Sequence, residues 1–305
     1  MKEIILGKSK NKVPAIVVGC MRMDSMDEAS SCEFINFAME SGLNYFDHAD
    51  IYGGGKCEEI FGNAWTKCGI KREEMFLQSK CGIREGFYDF SKEHIIQSVE
   101  ESLKKLDVEY LDSLLLHRPD MLMEPEEVAE AFDELYKQGK VRYFGVSNQK
   151  PMQIALLEKF VDQPIMVNQL QLSITNANMI GNGIYVNMGC DGAVDRDGSI
   201  LDYCRMNDIT IQAWSPFQYG FFEGVFLGSD NYKSLNLKID EIAKKYGVSN
   251  TAIATAWILR HPAGFQMISG TMKTNRLKQI LDGAEITLTR KEWYEIYLEA
   301  GNMLP

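Results

Sequence analysis

Four titratable side chains stand at or just beyond the ends of three apolar segments, and together they could move a proton. The first segment ends at Asp47 and is followed by Tyr52, the second ends in Lys80, and the third is followed by His117. A phenol with a pKa near 10 is a poor acid at neutral pH, but a nearby ammonium group lowers that pKa. We therefore expect Lys80 to lower the pKa of Tyr52 and Asp47 to keep Lys80 charged. His117 would orient a substrate carbonyl or help to relay the proton.

These side chains can converge only if the three segments are adjacent parallel strands, because the carboxyl ends of such strands meet at one edge of the sheet. A site of this kind suits protonation of a carbonyl oxygen while another group delivers a hydride to the carbon. Each residue alone has a simpler explanation, as a turn or cap (Asp47), a packing residue (Tyr52), a solvated strand end (Lys80) or a half-buried histidine (His117). Their joint placement favours catalysis.

Strand-like segments alternate with helical patterns along the whole chain, and these elements would position the four side chains. Eight strand–helix units without a linker predict a single α/β domain over residues 1–305, a (β/α)8 TIM barrel. A β-hairpin over residues 2–14 would precede it, and long irregular loops over 176–198 and 215–236 would lie at its carboxyl-terminal face. The glycines after Tyr52 lack the spacing of the dinucleotide fingerprint of a doubly wound sheet, and no Walker-type phosphate loop occurs.

Capping boxes predict where the first and last helices begin. Ser30 with Glu33 indicates the start of a helix that ends near Gly42, and Thr289 with Glu292 indicates the start of the terminal helix. In both cases a hydroxyl group and a carboxylate three residues apart could satisfy free backbone N–H groups.

Charge and composition narrow the classes of partner. The formal net charge of −11 disfavours a nucleic-acid partner, and no apolar run is long enough for a signal peptide core or a membrane span. The seven cysteines are odd in number and form no CxxC motif, so we expect reduced thiols and a cytoplasmic location. His48 and Asp50 lie beside Asp47, but without a second histidine cluster we expect no metal site.

The quoted residues resemble the Asp-Tyr-Lys-His tetrad of the aldo-keto reductases. The resemblance rests on the stretch Phe46-Asp47-His48-Ala49-Asp50-Ile51-Tyr52-Gly53, on Ser79-Lys80 and on Leu116-His117-Arg118, and it extends over nearly the whole chain. It implies an eight-stranded barrel that binds NADP(H) without a Rossmann fold and reduces a small-molecule aldehyde or ketone. It also implies that Tyr52 is the general acid, that Lys80 and Asp47 lower its pKa, and that His117 orients the substrate.

Four further segments are similar to the cofactor-binding motifs of that family. By resemblance, Ser147, Asn148 and Gln169 would bind the nicotinamide carboxamide, and Trp214 would stack on the nicotinamide ring. The segment that holds the adenosine phosphate would begin at Ser269, although several branches of the family place a lysine where this chain has Gly270. The complete expected cofactor set is Ser147, Asn148, Gln169, Trp214, Ser215, Phe217, Ser269, Gly270, Thr271, Lys273 and Arg276.

Methionine and aromatic residues near the expected site suggest a pocket for an apolar or flat carbonyl compound. The expected substrate-binding residues are Met21, Arg22, Met121, Tyr219 and Phe221. The candidate pocket walls also include the rest of the 217–222 loop and the carboxyl-terminal Asn302 and Met303. The sequence names neither the substrate nor the oligomeric state.

Two other functions fit the same residues less well. Lys80 could be the nucleophile of a Schiff-base lyase on the same barrel. Alternatively, the chain could be a weakly active or non-catalytic NADP-binding module that senses redox state, resembling the potassium-channel β subunits. Cofactor binding without steady turnover would favour that second alternative.

Overall fold

Strands and helices alternate along residues 1–305 in a computed structural model of the whole chain. The strands are β1 (Glu3–Ile5), β2 (Lys12–Pro14), β3 (Ile16–Gly19), β4 (Tyr45–Asp47), β5 (Phe76–Cys81), β6 (Ile83–Arg84), β7 (Phe87–Tyr88), β8 (Leu111–Leu116), β9 (Val141–Ser147), β10 (Ile165–Gln171), β11 (Thr210–Trp214), β12 (Gln218–Tyr219), β13 (Gly224–Val225) and β14 (Gln266–Ser269). Eight of them, β3, β4, β5, β8, β9, β10, β11 and β14, form a closed parallel barrel in chain order, with β14 paired to β3. The predicted (β/α)8 barrel is therefore confirmed.

Eleven α-helices accompany the strands, and they are α1 (Glu28–Glu40), α2 (Lys56–Trp65), α3 (Lys92–Leu106), α4 (Pro125–Lys137), α5 (Pro151–Leu157), α6 (Asn178–Ile184), α7 (Ile200–Met206), α8 (Lys233–Tyr246), α9 (Asn250–Leu259), α10 (Thr274–Ala284) and α11 (Arg290–Glu299). None of them combines the length and the apolar character needed to cross a bilayer. Strands β1 and β2 form the expected antiparallel hairpin.

Burial on both faces explains the apolar strands. Every residue of β8 is buried, because one face of a barrel strand points to the interior and the other packs against the helices. The helices contribute one apolar stripe each. In α3, for example, Ile95, Val99 and Leu103 lie on one face and are buried, as their spacing predicts.

Both predicted long loops contain short regular elements. Helix α6 and a 3-10 turn at Asp191–Ala193 lie within the 176–198 stretch, and the β12–β13 hairpin lies within the 215–236 stretch. The prediction of wholly irregular loops was wrong because these elements are too short, and too rich in glycine, to show a period. The β6–β7 hairpin was missed for the same reason.

The start of α1 differs from the prediction, whereas the start of α11 agrees with it. Asp27, not Ser30, caps α1 by accepting a hydrogen bond from the Ser30 backbone N–H at 2.8 Å. A carboxylate caps a helix as well as a hydroxyl does, so the helix begins one turn earlier. Thr289 and Glu292 form the predicted capping box of α11.

One pair of cysteines corrects the expectation that all seven thiols are reduced. The sulfur atoms of Cys32, on α1, and Cys68, just after α2, are paired in the structure, and their Cα atoms lie 5.8 Å apart. The other five cysteines are free. Pairing between residues 36 positions apart depends on how α1 packs on α2, which the spacing of the cysteines does not reveal.

Candidate active site

The carboxyl ends of three neighbouring strands bring the four expected catalytic residues together. Asp47 ends β4, Lys80 lies at the end of β5, and His117 directly follows β8, and these strands are paired in that order. The backbone continues this pairing past β4, because the N–H of Asp50 donates to the carbonyl oxygen of Lys80 at 3.0 Å. The turn that contains Tyr52 is thereby anchored beside Lys80.

Three consecutive glycines make that turn possible. Gly53, Gly54 and Gly55 have φ angles of 59°, 65° and 85°, in the left-handed region that glycine adopts without steric cost. A Cβ atom on Gly53 would lie 2.9 Å from the Cys57 sulfur. The glycines therefore permit the tight turn that follows Tyr52, and Gly53 also lines the cavity described below.

Lys80 is the centre of the polar cluster. Its side chain is fully buried, and its Nζ atom donates to Asp47 Oδ2 at 2.8 Å, to the His48 carbonyl oxygen at 2.7 Å and to the Tyr52 hydroxyl at 2.9 Å. Burial pushes the pKa of Lys80 down, but the charge of Asp47 and the bonds to Asp47 and Tyr52 outweigh it and raise the pKa overall. Lys80 is therefore an ammonium group whose three protons are all used.

The pKa of Tyr52 differs from the expectation. Burial raises its pKa more than the Lys80 ammonium lowers it, so the pKa of Tyr52 is above its ordinary value. The expected net decrease was wrong because the sequence shows the neighbouring charge and not the loss of solvent. The phenol remains protonated, and since its oxygen accepts from Lys80, its own proton is free to point into the cavity.

His117 faces Tyr52 edge-on, with their ring centroids 5.9 Å apart. Burial, together with the charges of Lys80 and Arg118, holds the pKa of His117 well below its ordinary value. The ring is therefore neutral at neutral pH and can donate or accept a hydrogen bond without adding a charge to the site.

Buried amides support Asp47 from below. The Nε2 atoms of Gln78 and Gln169 donate to Asp47 Oδ1 at 2.6 and 3.1 Å, and both also bond Gln212 Oε1. The network ends where Gln266 donates to the Pro14 carbonyl oxygen at 2.7 Å. These bonds fix Asp47 while its second oxygen binds Lys80, so the carboxylate has one orientation.

A cavity of about 710 Å³ opens above this cluster, and it is large enough for an extended ligand. Asp47, Tyr52 and His117 line it at one end, and Lys80 lies beneath them. All eleven residues of the expected cofactor set line the same cavity: Ser147, Asn148, Gln169, Trp214, Ser215, Phe217, Ser269, Gly270, Thr271, Lys273 and Arg276. The cavity is therefore lined by residues from six barrel strands, β3, β4, β9, β10, β11 and β14, and from loops at their carboxyl ends.

The polar groups near the catalytic end are already ordered by one another. Asn148 donates to Ser147 Oγ at 2.7 Å, and Ser147 donates to the Gln169 carbonyl oxygen at 3.0 Å. Trp214 lies over them and donates to Asn148 Oδ1 at 3.4 Å. Ser269 Oγ, in contrast, is buried without a partner. A bound group that offers both a planar ring and hydrogen-bonding atoms fits these residues.

Two cationic side chains, Lys273 and Arg276, line the opposite end of the cavity, and neither forms an ion pair. Arg276 forms no ion pair, although Asp282 lies on the same helix, and its guanidinium lies 5.9 Å from the ring centroid of Phe217. Helix α10 begins beside it, at Thr274, without a side-chain cap. Free N–H groups at a helix start and two cations, Lys273 and Arg276, suit a phosphate group.

Only two of the five expected substrate-binding residues line the cavity. Met21 and Arg22 line the cavity, and Arg22 donates to the Gly270 carbonyl oxygen at 2.8 Å, on the cofactor side. Met121, Tyr219 and Phe221 do not line it. Met121 is 80% exposed, Phe221 is 64% exposed, and Tyr219 packs against Tyr232. Gln218 and Phe222, from the same loop, line the cavity.

Sequence reasoning missed two residues that the geometry makes prominent. Gln78 donates to the Asp47 carboxylate, and Arg118 lines the cavity next to His117. An amide within an otherwise apolar strand was an available signal for Gln78, since a buried polar group requires partners. For Arg118 the signal was its position directly after an expected catalytic residue. No group of three or more histidine, cysteine, aspartate or glutamate side chains could hold a metal ion.

Comparison with known proteins places this geometry in a family. Residues 15–297 match the model described as the aldo/keto reductase family. The chain is 35% identical to the uncharacterized oxidoreductase YcsN of Bacillus subtilis over 92% of each chain. It is 31% identical to a 6-dehydroglucose reductase of Agrobacterium fabrum over 97% of each chain.

A solved structure supports the same assignment. The thermostable aldo-keto reductase Tm1743, determined with the inhibitor epalrestat, superposes with a TM-score of 0.79 at 26% identity, covering 98% of this chain and 100% of that one. The family model, the relatives and the barrel agree over nearly the full length. The chain therefore belongs to the aldo/keto reductase family.

Proposed function

We propose that this oxidoreductase reduces aldehydes or ketones to alcohols, with NADPH as its preferred cofactor and Tyr52 as the general acid. The observation that supports this most directly is the set of three bonds from the buried Lys80 ammonium, one of which ends on the Tyr52 hydroxyl at 2.9 Å. The bond leaves the phenolic proton directed away from Lys80, toward the cavity. The proposal covers the substrate class and not one particular substrate.

The chain supplies the proton, and a bound reduced nicotinamide would supply the hydride. Tyr52 transfers its proton to the carbonyl oxygen as the carbonyl carbon is reduced, and the Lys80 ammonium stabilises the phenolate that forms. Asp47 keeps Lys80 positioned and charged. His117, neutral and adjacent to Tyr52, holds the carbonyl oxygen by a hydrogen bond, and Trp214 provides a flat surface for the nicotinamide.

The cofactor preference rests on Arg276 and Lys273. NADPH and NADH differ by one 2′-phosphate, which a guanidinium can bind through paired charge-assisted hydrogen bonds. Arg276 has no protein partner that would compete for it, and Thr271 adds a hydroxyl group on the same side of the cavity. Ser147, Asn148 and Gln169 would hold the nicotinamide carboxamide, as the family resemblance implies.

The state of Lys80 argues against the Schiff-base alternative. A nucleophilic lysine must be a free amine, and this one has a raised pKa and no uncommitted proton. Borohydride with a carbonyl substrate should therefore trap no adduct on Lys80. The redox-sensing alternative predicts cofactor binding without steady turnover, so activity measurements address it directly.

The decisive experiment is NADPH oxidation, followed by absorbance, against a panel of aldehydes and ketones that includes sugar aldehydes. Sugar aldehydes belong in the panel because two relatives are named 6-dehydroglucose reductase. In Tyr52→Phe, which keeps the ring, kcat should fall by about 10²–10⁴-fold while the Kd for NADPH stays nearly constant. A variant with a tenth or more of the wild-type kcat would remove Tyr52 from the acid role. Cofactor binding without turnover of any compound would favour the redox-sensing module.

A further inference from the structure

Four arginine side chains of this protein are half-buried, and two of them have hydrogen-bond partners within the protein while the other two have none. Arg72 donates to Asp112 Oδ2 at 2.8 Å, and Arg260 donates to the Leu288 carbonyl oxygen at 2.8 Å. Arg118 and Arg276 are also half-buried, yet neither side chain forms a hydrogen bond or an ion pair within the protein. Both line the same cavity. A partly desolvated guanidinium without a partner is costly, so each of these two positions is ready for an anion.

The two arginines lie at opposite ends of the cavity. Arg276 is beside Lys273 and the start of α10, where the cofactor phosphate is expected. Arg118 follows His117 directly, and its Cζ atom lies 5.5 Å from the ring centroid of Trp214 and 6.0 Å from that of Phe221. The aromatic rings hold the guanidinium in place without neutralising it. Arg118 is therefore at the catalytic end, where a substrate and not the cofactor phosphates would meet it.

Charge around the cavity has the opposite sign to charge on the whole protein. The formal net charge is −11, but the only acidic residue that lines the cavity is Asp47, which is already paired with Lys80 at 2.8 Å. The carboxyl group nearest to Arg118 in sequence, Asp120, accepts backbone N–H groups of Phe90 and Leu122. Arg118 thus forms no ion pair with a protein carboxylate, and the four cationic residues that line the cavity, Arg22, Arg118, Lys273 and Arg276, attract anions into it.

From this arrangement we infer that Arg118 binds a carboxylate on the substrate, so that the preferred substrates are aldehydes or ketones with an acid group. The inference rests on the proposed reductase function. A single guanidinium matches a singly charged, planar carboxylate through two parallel hydrogen bonds. A phosphate is better served by two cations and a helix start, and that combination exists only at the Arg276 end.

The test compares isosteric substrates that differ by one charge. Values of kcat/KM are measured for 4-carboxybenzaldehyde against 4-formylbenzamide, and for 3-carboxybenzaldehyde against 3-formylbenzamide, which vary the reach of the acid group. At least one acid should be preferred over its amide by about 10–100-fold, the range of one charge-assisted hydrogen bond. In Arg118→Gln that preference should fall to within about twofold of unity, through KM more than kcat. Arg118→Lys should keep part of it.

Arg205→Gln provides the matched control, because Arg205 is exposed on α7 and pairs only with Asp202 at 3.8 Å. It removes one positive charge outside the cavity and should leave the acid preference intact. Equal kcat/KM for acid and amide in the wild type would overturn the inference whether or not the variants fold, as would a full preference retained in Arg118→Gln. Turnover of the neutral amides that depends on Tyr52 would still support the reductase function, so the two proposals fail separately.

Discussion

The two ends of the cavity are built differently. At the catalytic end, Lys80 is fully buried and bonded to Asp47 and Tyr52 before any ligand is present. At the Lys273–Arg276 end, Lys273 is exposed and Arg276 half-buried. Neither charged group has a hydrogen-bond or ion-pair partner, and only the backbone N–H of Lys273 donates to a side chain, that of Thr271, at 3.2 Å. Catalytic geometry must be accurate to fractions of an ångström and is therefore preorganised. Charge recognition tolerates mobile side chains, which can be ordered when the anion binds.

Removal of the Lys80 ammonium group should have the largest effect, because its hydrogen bonds to Asp47 and Tyr52 are then lost. Lys80→Met leaves the Asp47 carboxylate buried without its cation, which should lower the free energy of unfolding by about 3–5 kcal/mol. It should also reduce kcat by about 10²–10⁴-fold. Chemical denaturation and steady-state kinetics measure the two effects.

Lys92→Met is the control, since Lys92 pairs with Glu130 and Glu134 at the surface and such pairs contribute little. Similar stability losses in Lys80→Met and Lys92→Met would mean that the catalytic end is no more preorganised than a surface ion pair.

A smaller effect is expected at the Lys273–Arg276 end. Arg276→Ala should raise the Kd for NADPH by about 10–100-fold and leave the Kd for NADH nearly unchanged, because only NADPH has the 2′-phosphate. Protein stability should stay the same, since Arg276 has no protein partner to lose. Isothermal titration of both cofactors tests this, with the exposed Arg290→Ala as a control. Equal affinity of the wild type for NADH and NADPH would contradict the assignment.

A third expected effect concerns the pH dependence of protein stability and involves His48, the residue after Asp47. His48 is fully buried, neither ring nitrogen has a partner, and burial lowers its pKa to about 3. A folded-state pKa below the unfolded value of about 6.5 means that the unfolded chain binds the proton more readily. The contribution of His48 is therefore fully present above about pH 6.5 and decreases as the pH falls toward 3.

His48→Leu should remove that part of the pH dependence and move the midpoint of acid unfolding to lower pH. The change is visible as the difference between wild-type and variant stability measured at pH 7 and at pH 4.5. A difference that stays constant over this interval would show that His48 does not titrate on unfolding.

The family resemblance let much of the site be predicted from sequence, but not the side chains whose orientation depends on loop conformation. The four expected catalytic residues lie at or just beyond strand ends, as the sequence predicted. Tyr219 and Phe221 were expected to line the cavity, but of this loop Phe217, Gln218 and Phe222 line it instead. Residues 220–223 form the turn of the β12–β13 hairpin, and the direction of each side chain in such a turn depends on how the loop packs on the barrel.

By itself, the sequence determined the barrel, the order of its strands and the residue types at their carboxyl ends. The alternation of apolar strand-like segments with helical patterns is visible in the local sequence, and so are the polar residues that follow each strand. Only the tertiary structure decided which influence on Tyr52 is larger, since desolvation depends on everything packed around the phenol. It alone paired Cys32 with Cys68, and it alone left Arg118 without a carboxylate partner. Burial and the absence of a partner are properties of the folded chain, so no local pattern encodes them.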